Sequence, residues 1–203
     1  MADLTPKGYC AVTDIEAYTL TEIIDSFEPN VLNWIAQIEE HIERVTDRVF
    51  IADTVASERY YDGRGGQEQF IDECVEISSV VVYDDDYEED STPVENTDFF
   101  SFPYNTTPKY SLILKPTSDA EFLKGVHNIK VSAKWGYSVG VPAPIRFATM
   151  VLVAGIVNFS NNSEGEIKSE RIGEYSVTYK DESGWADLER AKEIINNYSK
   201  PNV

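Results

Sequence analysis

Hydrophobic positions in the first part of the chain recur at helical spacing. A short segment, TDIEAY from Thr13, places Ile15 and Tyr18 on one side, and Thr13 with Glu16 predicts a capping box at the start of a helix. A longer stripe follows at three- and four-residue steps, which predicts an amphipathic helix with one buried face. Its members are Val31, Leu32, Ile35, Ile38, Ile42, Val45 and Val49.

From about residue 57 the spacing changes to that of strands. The stretch RYYDGRGGQEQFID predicts two strands joined by a Gly-rich turn. Runs rich in β-branched and aromatic residues, which suit a pleated sheet, predict further strands at 75–83, 109–115 and 127–135. The acidic segment 84–108 holds three prolines and is predicted to be a long, largely irregular loop.

Helical spacing returns after Pro144. The run IRFATMVLVAGIVNF is apolar nearly all round, so this helix has to be covered by the chain's own core or by neighbouring subunits. Its apolar stretch, 147–159, is too short to span a bilayer, and no membrane association is predicted. Residues 170–179 predict a strand or extended arm, and 185–198 a last amphipathic helix.

These elements predict an α+β fold: a helical bundle built from both chain ends with a β-rich insertion in the middle. The predicted helical core comprises residues 1–56 and 140–203. The β-rich insertion comprises 57–139 and includes the acidic loop 84–108. The terminal helices are expected to pack together because neither end alone buries its stripe.

The net charge of the chain is −19, and residues 1–139 hold −17 of it. Such a surface repels nucleic-acid phosphates, which argues against a conventional DNA-binding role. The two cysteines, Cys10 and Cys74, define no disulfide framework and are predicted to be buried and reduced.

The sequence shows no recognisable motif for catalysis or for phosphate binding. His41 lies beside Glu39, Glu40 and Glu43 on what the spacing makes the polar flank of a helix, and His127 begins a strand. The Gly-rich turn leads into a strand and lacks the lysine of a phosphate loop. We therefore predict no catalytic residue, no cofactor and no metal ligand.

The most acidic stretch is YDDDYEED, residues 83–90. Hard oxygen ligands suit calcium, but an EF-hand loop needs a glycine at its sixth position, and here that residue is Glu89. A solvated acidic loop is the prediction. Flanking charge of this kind also protects a Val-rich strand from edge pairing.

Several phrases occur in the order found in one protein family. They are YCAVTDIEAY, IEEHIERVTDRVF, RYYDGRGG, NIKVSAKWGYSVGVPAPIRFATMVLVAGIV, ERIGEYSVTY and AKEIINNY. In this order the chain resembles the head–tail connector (adaptor) proteins of tailed bacteriophages, which form a ring beneath the portal. Residues 84–108 are longer and more acidic than the family pattern.

The resemblance implies a non-enzymatic, structural virion protein of the neck, present in the host cytoplasm during assembly. It implies a homo-oligomeric ring of twelve subunits that binds the portal protein on one side. On the other side it would bind a head-completion (stopper) or tail-tube protein, and double-stranded DNA would pass through without tight binding.

Two sets of residues follow as site predictions. The resemblance implies that the C-terminal segment docks on the portal, through Ile195, Tyr198, Lys200 and Val203. An acidic channel wall would repel DNA, and the residues predicted for that surface are Asp84, Asp85, Asp86, Glu88, Glu89 and Asp90. The alternatives are a calcium-dependent β-rich binding or adhesion module, which calcium would stabilise against heat, and a small hydrolase using acids of the β region.

Overall fold

The structure is a computed structural model that describes residues 5–161, 168–172, 175–179 and 182–200. The helices in these ranges are α1 Val12–Thr19, α2 Glu28–Thr46, α3 Ala143–Asn161 and α4 Glu182–Tyr198. The strands are β1 Ser57–Gly63, β2 Glu68–Tyr83, β3 Glu89–Ser91, β4 Phe99–Phe102, β5 Lys109–Leu114, β6 Gly125–Trp135, β7 Lys168–Ile172 and β8 Tyr175–Tyr179.

The chain divides into two compact units. The first comprises Met1–Arg48 and Val141–Val203, and the second comprises Val49–Gly140. The domain assignment made from the sequence, with its boundaries at 56/57 and 139/140, stays a prediction.

A six-stranded antiparallel sheet forms the second unit. Its strand order is β1-β6-β2-β5-β4, and β3 pairs with the end of β2. Strand β2 has 16 residues and changes its neighbour at Cys74. Its first half pairs with β5, from Glu68 opposite Ile113 to Cys74 opposite Lys109, and its second half pairs with β6. Register shifts near this change allow one strand to serve both sides of the sheet.

The core of the second unit is built from alternate residues of these strands. Residues Val80, Val82, Ile129, Val131 and Ala133 are all fully buried. The rest of the cluster is Ile71, Cys74, Phe99, Leu112, Leu114, Phe122 and Trp135. Burial of β-branched and aromatic side chains on a pleated surface is what these strands favour.

The predicted fold, a helical bundle with a β-rich insertion, is wrong. The described chain is α+β, but a six-stranded antiparallel sheet dominates it, and a second sheet, the β7–β8 hairpin, lies in the same unit as the helices. Helical stripes are conspicuous in a sequence, whereas the extent of a sheet depends on pairings between distant residues. The spacing of hydrophobic residues therefore led to an overestimate of the helical part of the fold.

Several local expectations also change. The segment 84–108 contains the short strands β3 and β4, but 18 of its 25 residues lie outside them, so it is irregular over most of its length, as predicted. Strands β1 and β2 are joined by the Gly-rich connection but do not pair with each other, because β6 lies between them. Val45 and Val49 are exposed, and Val49 lies beyond the end of α2 at Thr46.

The cap of α1 lies before the predicted capping box. The N-cap residue is Ala11, whose backbone N–H donates to the Asp14 carboxylate at 2.8 Å. Asp14 also accepts bonds from the Arg146 guanidinium, and this side-chain bond is the largest cause that lowers the pKa of Asp14. Arg146 therefore ties the start of α3 to the start of α1.

Helix α3 is the centre of the first unit. It contacts α1, α2, α4 and β8, and Ile145, Val151, Leu152 and Val157 are fully buried. The chain's own elements thus cover this helix, and its apolar surface is no argument for neighbouring subunits. The helix is longer than the predicted apolar run, and Ala143–Ser160 reaches the length and hydropathy of a membrane span, but half of it is buried inside the protein.

A buried carboxylate on α2 holds the N-terminal segment. Glu39 is fully buried, not on the polar flank, and accepts the backbone N–H groups of Lys7 at 2.5 Å, Gly8 at 3.1 Å and Tyr9 at 2.7 Å. Burial raises the pKa of Glu39, and the N–H donors act in the opposite direction. One turn on, Glu43 accepts the Tyr9 hydroxyl. The segment is therefore fixed across the helix.

Replacing Glu39 by alanine is expected to lower the free energy of unfolding by about 2–4 kcal/mol, because three buried amide donors lose their acceptor. The matched control is Glu40→Ala on the exposed side of the same helix, with an expected change within about 0.5 kcal/mol. Urea denaturation measures both. Equal losses of unfolding free energy for the two substitutions would show that the Glu39 carboxylate does not hold the N-terminal segment in place.

The pH dependence of the free energy of unfolding tests the role of Glu39 in a second way. The folded-state pKa of Glu39 lies above the ordinary value of 4.5, so its contribution to stability is fully present below that pH and decreases as the pH rises through the raised pKa. The difference in stability between wild type and Glu39→Ala should therefore narrow as the pH rises above 4.5. A difference that widens over that range would contradict the raised pKa.

Candidate functional site

The acidic stretch forms a tight turn between β2 and β3. Asp84 organises it: one carboxylate oxygen accepts the backbone N–H groups of Asp86 at 2.9 Å and Glu88 at 3.0 Å. The Asp84 backbone N–H also donates to the carbonyl of Glu88 at 3.0 Å. The predicted loop is therefore an ordered hairpin turn, with Tyr83 opposite Glu89 in the ladder.

Most side chains of this turn face solvent. Asp85, Asp86, Glu88, Glu89 and Asp90 are exposed, whereas Asp84 is half-buried. Between them, Tyr87 has a positive φ of 60° and an exposed fraction of 63%. Its hydroxyl donates to the carbonyl of Val126 at 3.3 Å. The DNA-repelling role of these acids stays a prediction.

The predicted portal-docking residues lie in two kinds of surroundings. Ile195 is buried in the first unit and Tyr198 is half-buried. The backbone N–H of Lys200 donates to the carbonyl of Thr46 at 3.0 Å, and its ammonium lies 3.7 Å from Asp47. Ile195 therefore takes part in the chain's own packing, and Lys200 contacts the C-terminal end of α2. Val203 lies outside the described residues.

The histidines and cysteines have structural surroundings. Cys10 and Cys74 are buried free thiols, as predicted, and burial raises the pKa of each to about 12. His41 is half-buried, and burial followed by the nearby Arg44 lowers its pKa. His127 is exposed and stacks on Tyr60, with ring centres 6.3 Å apart. Among the described residues, no three His, Cys, Asp or Glu side chains are grouped to hold a metal ion.

Sequence reasoning missed a group of aromatic side chains on the β4–β5 hairpin. Phe102 lies at its centre, edge-to-face with Tyr104 at 5.3 Å and with Tyr110 at 5.5 Å, and Tyr104 meets Phe100 in the same way at 5.9 Å. Phe100, Tyr104 and Tyr110 have exposed fractions of 38%, 54% and 39%. We call these four residues the aromatic face. An exposed aromatic group of this kind is typical of binding surfaces.

A groove of about 620 Å³ runs beside the aromatic face. Its apolar wall is Phe100 and Tyr104. Its polar lining is Glu95, Asn96, Ser101, Asn105 and Lys109, so the groove holds one carboxylate and one ammonium.

Two lysines hold the hairpin around this groove. The Lys109 ammonium donates to the backbone carbonyls of Pro103 and Tyr104, which fixes the loop after β4. The Lys115 ammonium donates to the carbonyl of Asn96 and lies 4.4 Å from the centre of the Phe100 ring. This position allows a cation–π contact.

The aromatic face lies in a stretch of sequence without acidic residues, although the Glu95 carboxylate accepts the Ser101 hydroxyl on the same hairpin. Residues 99–118 contain two lysines and no Asp or Glu. The signal was therefore present in the sequence, as five aromatic residues (Phe99, Phe100, Phe102, Tyr104 and Tyr110) in an acid-free stretch. Treating 84–108 as one acidic segment hid it, because the acids end at Asp98.

Comparisons with known proteins give a likeness of fold. No protein-family model and no curated protein matches the sequence. A chain from a structure described as "Neck of empty GTA particle computed with C6 symmetry" aligns with a TM-score of 0.57 and 11% identity, over 98% of this chain and 93% of that chain. A chain from "Neck of native GTA particle computed with C12 symmetry" aligns with a TM-score of 0.50 and 12% identity, over 96% and 94%. At such identity the likeness concerns the fold alone.

Asp84 generates a prediction about the turn. Asp84→Ala removes the acceptor of two backbone N–H groups and is expected to cost about 0.5–1.5 kcal/mol of unfolding free energy. It should also speed hydrogen exchange at the amides of Asp86 and Glu88, measured by NMR. Asp85→Ala, which removes the same charge from an exposed position, is the control and should leave both amides unchanged. Equal acceleration by the two substitutions would make charge, and not the hydrogen bonds, the cause.

Proposed function

We propose that this protein is a structural component of the neck of a tailed-phage-like particle, with no enzymatic role. The observation that carries the proposal is the likeness of fold to the neck chains of gene transfer agent (GTA) particles, which extends over nearly the whole length of both chains. The order of sequence phrases, which resembles the connector (adaptor) family, supports the same proposal independently of the structure.

The finer parts of the proposal concern assembly. The protein forms a homo-oligomeric ring of twelve copies, for which the C12 symmetry named for one of the similar structures is the support. The ring binds the portal protein on one side and a stopper or tail-tube protein on the other. It assembles in the host cytoplasm and resides in the virion neck.

DNA passage follows from the charge. A chain of net charge −19 places negative potential around any channel that it encloses, and negative walls repel phosphates. A basic wall would bind DNA tightly and hinder its movement. Double-stranded DNA is therefore a transient, non-specific passenger of the proposed ring.

Portal binding is the central test of this function. Mixed with the portal ring, the chain is expected to add a stoichiometric ring of twelve copies, which native mass spectrometry or electron microscopy would count. A portal that binds no copies, or binds them without a ring, would contradict the proposal.

Truncation tests the proposed docking segment. A chain that stops after Lys200 keeps the described contacts of α4 and loses Val203, and it should bind the portal at least roughly tenfold more weakly at an unchanged melting temperature. Removing residues 196–203 also removes the bond from Lys200 to Thr46, so its melting temperature serves as the control for unfolding. Unchanged portal binding in both truncations would exclude C-terminal docking.

The charge generates a prediction about DNA. In about 0.15 M salt, the protein should not retard double-stranded DNA on a gel at protein concentrations up to about 100 µM, because its surface repels phosphates. Lysozyme-like basic proteins at the same concentration provide the positive control. Salt-sensitive retardation at low micromolar protein would contradict a repelling surface.

A further inference from the structure

We propose that neighbouring copies in the ring exchange residues 5–19, which we call the exchange segment. The segment of each copy packs on the surface formed by α2, α3 and α4 of the next copy, in place of that copy's own segment. The proposal deepens the proposed function, since it names the contact between ring subunits and rests on that ring for its biological setting.

The receiving surface recognises an extended backbone through one carboxylate. Glu39 on α2 is fully buried and accepts the backbone N–H groups of Lys7, Gly8 and Tyr9. A buried carboxylate needs such donors, because burial without them is strongly unfavourable. The site is therefore complete only when an extended segment occupies it, and residues 7–9 have the conformation that fits.

Charge complementarity identifies the occupant on both sides of this site. The Lys7 ammonium contacts the Glu43 carboxylate on α2. Further along the segment, the Asp14 carboxylate accepts two hydrogen bonds from the Arg146 guanidinium on α3. The segment thus places a cation against an anion at one point and an anion against a cation at the other. A second copy of this chain carries the same groups in the same order, so it satisfies the surface equally well.

These contacts do not depend on the connection that follows the segment. Tyr9 and Ile15 are fully buried, and the Tyr18 hydroxyl donates to the Asp187 carboxylate on α4 at 2.6 Å. Each partner named so far lies at least 30 residues away in the sequence. The same segment from another copy therefore makes the same contacts, which is the physical basis of segment exchange.

The connection between α1 and α2, residues 20–27, has an unfavourable conformation. Leu20 has a φ of 53° and an exposed fraction of 91%, and Ile24 is 64% exposed. The left-handed region disfavours leucine, whereas Asp47, which ends α2 in the same conformation, belongs to a residue type that tolerates it. Extending the connection relieves the strain at Leu20.

Opening the connection has a small cost and a defined gain. It breaks the hydrogen bond from the Ile23 backbone N–H to the Glu16 carboxylate, which is 2.8 Å long. Eight extended residues span up to roughly 26 Å, which is enough to reach a neighbouring copy in contact. In the exchanged form the connection runs between two copies, where Leu20 and Ile24 can be covered.

The concentration of copies decides between the closed and the exchanged form. Within one chain, the short connection presents the segment at an effective concentration in the millimolar range. Exchange therefore becomes populated when copies are crowded, either on a portal or at about 1 mM chain. Because segment and receiving surface differ, each exchange leaves one of each free for the next copy, and a ring closes the series.

Isotope-mixed cross-linking tests the exchange in the wild-type chain. Equal amounts of ¹⁴N- and ¹⁵N-labelled chain are mixed and assembled on the portal. A second sample is incubated without portal at about 1 mM chain in urea below the unfolding midpoint and then returned to buffer. A carbodiimide joins the Lys7 ammonium to the Glu43 carboxylate as an amide, and mass spectrometry reads the label of each linked peptide.

The expected result is a set of linked pairs that combine both labels. In portal rings, about half of the Lys7–Glu43 pairs should be mixed, because each segment comes from a neighbour of random label. At about 1 mM chain without portal, at least roughly a tenth should be mixed. The control is the ion pair between Lys134 and Glu76, which are 2.7 Å apart on β6 and β2, and it should stay unmixed.

A substitution in the connection tests the origin of the exchange. Leu20→Asn places a residue that tolerates the left-handed region, so the mixed fraction at about 1 mM chain should fall roughly fivefold. Val55→Asn, at a 75% exposed position of the second unit, is the control and should stay within about twofold of wild type. Circular dichroism and melting temperature establish that both variants are folded. Equal mixed fractions for Leu20→Asn and wild type would contradict the connection as the hinge.

The exchange and the neck role fail separately. Portal rings whose Lys7–Glu43 pairs carry one label only refute the exchange and leave the neck role intact. If no ring forms on the portal, the neck role fails, and the sample without portal decides the exchange: mixed pairs support it and single-label pairs overturn it. A control pair that is mixed as often as Lys7–Glu43 would also overturn it, because the links would then arise without exchange.

Discussion

The second unit depends on one strand that serves both sides of its sheet. Strand β2 pairs with β5 up to Cys74 and with β6 beyond it, so all other strands take their positions from its register. A shift of one residue would move Val80 and Val82 from the core to the solvent, because side chains alternate along a strand. The same strand fixes the distance between the aromatic face, beside its middle, and the acidic turn at its end. Fold and candidate site therefore share one geometric origin.

Local spacing predicted the elements better than their arrangement. The stripe from Val31 to Ile42 gave α2, and β-branched runs gave β5 and β6, since both signals arise within a few residues. The burial of Glu39 was not predictable, because its partners lie about 30 residues earlier in the chain. The dominance of the sheet was not predictable either, because it depends on pairings between distant strands. The acidic turn was found from its composition, but its order depends on hydrogen bonds of Asp84 that composition does not reveal.

Charge has two consequences in a chain of this kind. A net charge of −19 keeps copies apart in solution and opposes non-specific association. An assembly of such copies needs contacts that offset this repulsion. At the aromatic face, three rings are more than one third exposed, and the groove beside them holds the Glu95 carboxylate together with the Lys109 ammonium. This surface therefore offers apolar contact and not attraction between opposite charges.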